Sequence, residues 1–356
     1  MITRPASVLV VGATGSIGRL VVEESIREGY PTRALVRDPD KARRLPAEAD
    51  IVVGDVTRPE TLSAAVAGID GIVFTLGSDG AGKTGAETVD YGGVRNVLIA
   101  LGARPARVAL MTSIGGTNRT GAYNRATEAH DWKRRSERLV RASGHPYAIV
   151  RPGWFDYNQP DDLRLVLLQG DTRHAGDPSD GAVARRQIAQ VLVRSLASDA
   201  AVRKTFELIA ERGPATEDFD ALFSPLQADP PGSLDGAYDV KNMPLTDEPQ
   251  RVQDELRELQ ESVAGAADPL TDLDSVWRTL HCLTLPTADT RLGHIGTFRS
   301  TDVETTVPLR FRKGRLAARS SERSLLGRKL GVGLRVRWPL STDSKATHEW
   351  VWDRAM

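Results

Sequence analysis

The sequence predicts an α/β protein: a doubly wound parallel sheet, followed by a small C-terminal lobe and a basic, β-rich tail. Two observations carry the first part. Short runs of branched apolar residues alternate with helical patterns through the first half of the 356 residues, and a glycine array stands between the first run and the first helix. The runs are Ser7 to Val11, Thr32 to Val36, Asp50 to Gly54, Gly71 to Thr75, Arg107 to Met111 and Tyr147 to Arg151. Strands separated by helices need crossover connections, which make neighbours parallel and cover both faces of the sheet. GRLVVEESIREG, from Gly18, and TLSAAVAG, from Thr61, space their apolar residues for one helix face.

Beyond Arg151 the alternation loosens. Arg186 to Ser198 reads as an amphipathic helix and Lys204 to Ala210 as a further strand. Ser224 to Pro244 is crowded with Pro, Gly and Asp, as a loop or linker would be. Thr246 is then expected to cap a helix whose stripe is Val252, Leu256, Leu259 and Val263. In the last stretch Val307, Leu309 and Phe311 alternate with polar residues, as do Leu334, Val336 and Trp338, with Lys313 and Gly314 suited to a hairpin turn. That pattern predicts a small antiparallel sheet with one buried face.

A 40% hydrophobic and 26% charged composition is that of an ordinary globular protein. The N-terminus has no long apolar run, so neither a signal peptide nor a membrane span is expected, and a single cysteine, Cys282, points to a reducing compartment, the cytoplasm. The zero net charge hides an asymmetry, since residues 291–356 hold 11 Arg and 3 Lys against 6 acidic residues. Such a tail can touch nucleic acid, but its apolar alternation favours packing on the acidic body of the same chain or of a second subunit, as in a homo-oligomer. The six His are scattered and no Gly-x-Ser-x-Gly hydrolase elbow occurs, so metal and serine-hydrolase chemistry are not indicated.

Gly12, Gly15 and Gly18 form a Gly-x-x-Gly-x-x-Gly array after the first strand. The first allows a tight turn, the second lets backbone approach a pyrophosphate, and the third lets the helix pack closely on the strand. Thr14, Ser16 and Ile17 complete a loop whose helix N-terminus offers N–H donors and positive dipole to an anion. The second strand runs into Arg37, where an acidic residue would bind the ribose 2′-hydroxyl of NAD(H). A guanidinium there pairs with a 2′-phosphate instead, so NADP(H) is the expected cofactor, with the adjacent Asp38 leaving room for NAD(H). Asp55 and Val56, after the third strand, are placed to meet the adenine, although Asp55 reads equally as a loop cap. Thr75 and Gly77, after the fourth strand, lie on the same carboxyl edge of the sheet.

GATGSIG, LVRDPDKA, GDVT, VDYGGVRNVL, TSIGG, SGHPYAIVRPG and SDGAVARRQIAQVLV together resemble the atypical, extended-type short-chain dehydrogenases/reductases, which include NmrA-like and NAD(P)H-binding reductase proteins. The resemblance spans about residues 6–255. It implies a Rossmann domain over residues 1–155, a small substrate lobe and linker helix over 156–262, and leaves 263–356 as a tail outside the family pattern. It also implies that Ser113 orients a substrate oxygen and that Lys133 serves catalysis and holds the nicotinamide ribose. The family's tyrosine should stand four residues before that lysine, where this chain has Ala129. His130, Tyr123, Tyr157 or water is left to supply the proton, while Trp154 and Phe155 are candidates to wall a substrate pocket. The resulting expectation is an NADP(H)-dependent oxidoreductase acting on a small carbonyl, quinone-like or conjugated substrate. The alternative is a regulator that senses NADP and does no chemistry.

Overall fold

The computed structural model describes residues 4–78 and 80–267, together with short strands at 295–299, 304–308, 310–312, 315–317 and 350–351. The chain divides into two compact units, Met1–Val263 and Ala264–Met356.

The first unit opens with β1 (Val8–Val11), α1 (Gly18–Arg27), β2 (Thr32–Val36), α2 (Pro39–Ala42), β3 (Asp50–Val53), α3 (Ser63–Val66) and β4 (Gly71–Phe74). Next come α4 (Gly82–Gly85), a π-helical stretch over Ala86–Tyr91, α5 (Gly92–Leu101), β5 (Arg107–Met111), α6 (Ala122–Thr127), α7 (Ala129–Ala142) and β6 (Tyr147–Pro152). The unit closes with β7 (Trp154–Phe155), β8 (Arg164–Leu168), β9 (Ala182–Val183), α8 (Arg185–Ser195), β10 (Lys204–Glu211), α9 (Phe219–Phe223) and α10 (Gln250–Ala267).

Eight of these strands form one sheet in the order β3-β2-β1-β4-β5-β6-β10-β8. All pairs are parallel except β8, which runs antiparallel to β10. β1 lies between β2 and β4, so the strand order reverses beside it. A crevice opens at the carboxyl end of such a reversal, where ligands bind in open α/β sheets. The continuous apolar runs follow from burial on both faces. Leu9, Val11, Ile72, Phe74 and Ile149 point to one core, with residues of α5, α7 and α10. Val8, Val10, Val73, Ala148 and Val150 point to the other, with residues of α1 and α8.

Segment 156–262 brings β8 and β10 into this same sheet, beside β6. The helix expected after Thr246 is present, but Thr246 does not cap it. Leu245–Asp247 form a 3-10 turn, α10 starts at Gln250, and the Val252 amide bonds the Pro249 carbonyl at 2.8 Å. Proline suits that entry because the first helical N–H groups have no intrahelical acceptor anyway. Val252, Leu256 and Leu259 are buried as the stripe requires, whereas the Val263 side chain lies outside the described residues.

The loop from Ser224 to Pro244 is held by α7. The Arg134, Arg138 and Arg141 side chains are buried. Arg138 donates to Asp235, to Glu248 and to the Met243 carbonyl, Arg134 to the Val240 carbonyl, and Arg141 to Asp229.

In the second unit β11 (Ile295–Arg299) pairs antiparallel with β12 (Glu304–Pro308), and β13 (Arg310–Arg312) with β14 (Arg315–Ala317). β15 (Trp350–Val351) lies parallel to β11. Leu309, Lys313, Gly314, Leu334, Val336 and Trp338 fall outside the described residues.

Candidate functional site

The glycine loop leaves β1 at Gly12, whose φ of +88° belongs to the left-handed region. A Cβ there would lie 2.9 Å from the Thr75 carbonyl oxygen, and one on Gly18 would lie 2.0 Å from the Gly12 oxygen. Any side chain at either position would push β1, β4 and α1 apart. The Gly15 amide closes the turn on the Gly12 carbonyl at 3.0 Å. Ile17 stands at the N-cap of α1 without a capping side-chain hydrogen bond, so the orphan amides of that first turn stay available to an anion.

A cleft of about 250 Å³ adjoins the loop, lined by Thr14, Ser16, Arg19, Lys41, Arg44 and Leu45. Among the described residues the side chains of Arg19, Lys41 and Arg44 have no ion-pair partner. Arg37 is exposed past the end of β2, and its charge reaches Asp55. Burial raises the Asp55 pKa, but bonds from Thr57 and the Arg37 and Arg58 charges outweigh it and hold the carboxyl below its ordinary value. Lys41 and Arg44 escape a strand-end reading because they sit past β2 around a single helical turn.

The other predicted cofactor residues divide. Asp55 Oδ1 accepts from Thr57 N and Thr57 Oγ1 at 2.9 and 2.8 Å, which is the loop-cap arrangement. Val56 packs beside Gly93, where an added Cβ would sit 3.0 Å from its Cγ2. Thr75 Oγ1 donates to the carbonyl region of the loop, 3.1 Å from Val11 O and 3.3 Å from Gly12 O, so it braces the turn. Gly77 is exposed beyond β4.

Farther along the carboxyl edge, Ser113 follows β5, and its Oγ is buried without a hydrogen-bond partner. Lys133 Nζ stands 3.0 Å from Asp90 Oδ1, and Asp90 Oδ2 is buried and unpartnered. Asp90 belongs to the π-helical stretch, a distortion that recurs at functional sites. One turn before Lys133, His130 also has a buried, unpartnered Nδ1. Its ring lies 5.2 Å from that of Tyr123, and a Cβ on Gly115 would meet its Cε1 at 3.5 Å. Burial pushes the imidazole below its ordinary pKa against the pull of Asp171, leaving it neutral at pH 7.

Ala129 is only 4% exposed and packs in the core with Trp132. The missing phenol therefore leaves no vacant slot facing the edge. Tyr123 and Tyr157 are both exposed, the latter edge-on to Trp154 at 6.0 Å. Phe155 packs against the α8 side of the sheet.

Asp171 was invisible to sequence reasoning. It is buried, with φ +48°, and its two carboxylate oxygens accept the Gly115 and Thr117 amides at 2.6 Å each. His174 Nε2 lies 3.7 Å from the same carboxylate. The loop after Ser113 is thus pinned by a residue more than fifty positions away. Behind it, Glu207 Oε2 accepts the Asp171 amide at 3.2 Å, and burial raises the Glu207 carboxyl pKa to about 7 although Arg151 opposes this.

The cradle that excludes a Cβ, the unpaired cations beside it and the orphaned Ser113, His130 and Asp90 atoms together fit a nicotinamide dinucleotide lying along this edge. The chain is 29% identical over 248 residues to an uncharacterized chloroplastic protein of Arabidopsis thaliana, covering 62% of this chain and 76% of that one. It is 26% identical over 267 residues to sanguinarine reductase of Eschscholzia californica, covering 62% and 96%. Among solved structures, a putative NAD-dependent epimerase/dehydratase from Bacillus halodurans superposes with a TM-score of 0.48 at 24% identity, covering 59% of this chain and 96% of that one. The family model described as NAD(P)H-binding matches residues 12–199, from the first glycine of the cradle to the end of α8 and the turn beyond it. That match takes in more than half of the chain, which belongs to the NAD(P)H-binding family.

Proposed function

We propose that this protein is an NADP(H)-dependent oxidoreductase reducing a small carbonyl, quinone-like or conjugated substrate. The observation that carries the reading is the set of buried, unpartnered polar atoms, Ser113 Oγ, His130 Nδ1 and Asp90 Oδ2, grouped around the loop after β5 and the first turn of α7. Buried polar atoms in proteins are nearly always bonded, so such orphans mark places where a ligand completes the network. Reduced nicotinamide, when bound, supplies the hydride. Lys133, fixed by Asp90, holds ribose hydroxyls; Ser113 orients the substrate oxygen; and His130, neutral through burial, donates a hydrogen bond to the oxygen as negative charge develops there. The preference for a 2′-phosphate rests on Arg37, supported by the unpaired Arg19, Lys41 and Arg44 beside Thr14 and Ser16. The named activity of sanguinarine reductase supports a reductase over an isomerase.

One observation favours a second reading, the NADP-sensing regulator: Ala129 is sealed in the core, so no phenol stands at the family's usual position. NADPH oxidation screened against aldehydes, quinones and enones separates the two. Turnover that falls in Ser113→Ala and His130→Ala supports the enzyme, whereas tight NADPH binding with no oxidation across the panel supports the sensor. Among the described residues no helix is long and apolar enough to cross a membrane. We place the protein in the cytoplasm on its single cysteine, although several relatives are chloroplastic.

A further inference from the structure

The glycine loop carries no charged side chain of its own between Gly12 and Gly18. A helix N-terminus offers roughly half a unit of positive charge, which leaves most of a dinucleotide's diphosphate uncompensated. A cation reaches this loop from the far half of the sequence. Arg185, the first residue of α8, points its Nε at Ser16 Oγ, 3.3 Å away.

The approach is built by several contacts. β7 and β9 pair in parallel, Trp154 with Ala182 and Phe155 with Val183, which brings the end of β6 alongside the start of α8. Asp156 then turns with φ +60°, its amide donating to the Val183 carbonyl at 3.0 Å. Its carboxylate accepts the Arg185 amide at 2.9 Å and pairs with the Arg185 guanidinium. That guanidinium also lies over the Phe155 ring, 5.3 Å from the centroid. Backbone and side chain of Arg185 are therefore oriented together, and among the described residues the guanidinium's one polar contact beyond this turn is with Ser16 of the glycine loop. A half-exposed Arg–Asp pair is worth little to stability by itself, so the construction is poorly explained as a prop for the fold.

We propose that Arg185 is a clamp for the diphosphate bridge of the bound dinucleotide, with Asp156 its counter-ion while the loop is free. The proposal rests on the dinucleotide reading above and assigns the second half of the unit a direct part in binding. On binding, the guanidinium shares its donors between Asp156 and a diphosphate oxygen, beside the N–H groups of α1. No bond is made or broken.

Arg185 should then act on the diphosphate and be blind to the 2′-phosphate, unlike Arg37. The test is titration of the full chain and its variants with NADPH, NADH, ADP-ribose and 2′-AMP, which lacks a diphosphate. Arg185→Gln should weaken NADPH, NADH and ADP-ribose alike, by about tenfold or more, and leave 2′-AMP within about twofold. Arg185→Lys should recover part of the loss. Asp156→Asn, which frees the guanidinium, should bind at least as tightly as the unaltered protein. The proposal is overturned if Arg185→Gln changes none of the affinities, if it weakens 2′-AMP as much as NADPH, or if Asp156→Asn loses as much as Arg185→Gln. Failure of the unaltered protein to bind any of the four ligands would instead overturn the dinucleotide reading, and the clamp with it.

Discussion

Arg37 and Ala129 are single positions at which the chain departs from, or chooses within, a common design. Arg37 is exposed, so the contact proposed for it with a 2′-phosphate would compete with water, and the lower end of the usual range for a charge-assisted bond applies, about 1.5 kcal/mol. Arg37→Ala should weaken NADPH about tenfold and leave NADH nearly unchanged, as read by fluorescence titration of each cofactor. Equal losses for both cofactors would remove Arg37 from the 2′-phosphate site. Ala129 poses the opposite question, since restoring the family's phenol looks like a route to activity. The structure answers it by packing: Ala129 shares the core with Tyr91, Trp132 and Leu139. Ala129→Tyr should therefore cost about 1–3 kcal/mol of stability through overpacking, seen as a lowered Tm, and bring no gain in turnover.

Among the elements, α7 is the least like its sequence. AHDWKRRSERLVRA carries four arginines and a lysine in fourteen residues, the composition of a solvated helix, yet nearly every position is buried. The missing information lies about a hundred residues away. Asp229, Asp235 and Glu248 arrive on a segment whose Pro, Gly and Asp content reads as a linker, and they neutralise the guanidiniums one by one. A buried ion pair contributes little net stability against an apolar equivalent, but removing one partner leaves a charge stranded. Arg138→Ala should cost about 3–5 kcal/mol in urea denaturation and loosen the 229–248 segment first, visible as faster amide exchange there. Loss of stability with unchanged exchange in that segment would show that α7 does not hold it. The same network meets the site through Glu207, whose burial-raised carboxyl makes stability pH-dependent. Its folded pKa of about 7 lies above the ordinary 4.5, so the native state holds the extra proton. The stability linked to it is complete below about pH 4.5 and is lost as pH rises through about 7. Glu207→Gln should remove that loss, on the order of 3 kcal/mol, and leave the protein more stable than the unaltered chain at pH 8. Parallel Tm-versus-pH curves for the two proteins would refute the assignment.

Across the whole molecule, legibility followed the range of the interactions. β2 and β5 were read to the residue, and β1, β4 and β6 to within one, because strands buried on both faces are written as unbroken apolar runs, while the exposed edge strand β3 was also read to within one. The cradle was legible because its glycines act within a single turn. Lys41 and Arg44 were missed because they act across a cleft, and Asp171 because its partners are the amides of another loop. The expected cap at Thr246 failed because Pro249 offered a nearer entry to α10. The division after Val263 leads to one more expectation. A chain ended after Ala267 should bind NADPH as the full chain does, while the +8 surplus of residues 291–356 is lost. A matching loss of salt-sensitive DNA or RNA binding would show that the tail is a nucleic-acid arm.

The reversal of strand order beside β1 also sets a timetable. A chain grows from its N-terminus, and domains begin to organise as they emerge. β1, the glycine turn, α1 and Thr75, which braces the turn, all lie within the first 75 residues, so the glycine-loop half of the crevice has its parts early. The other half waits. Its loop after Ser113 is untethered until Asp171 has been made, Arg185 reaches Ser16 later still, and α7 lacks its counter-ions until Asp229, Asp235 and Glu248 follow. The two halves of one crevice thus come of age at different lengths of the nascent chain.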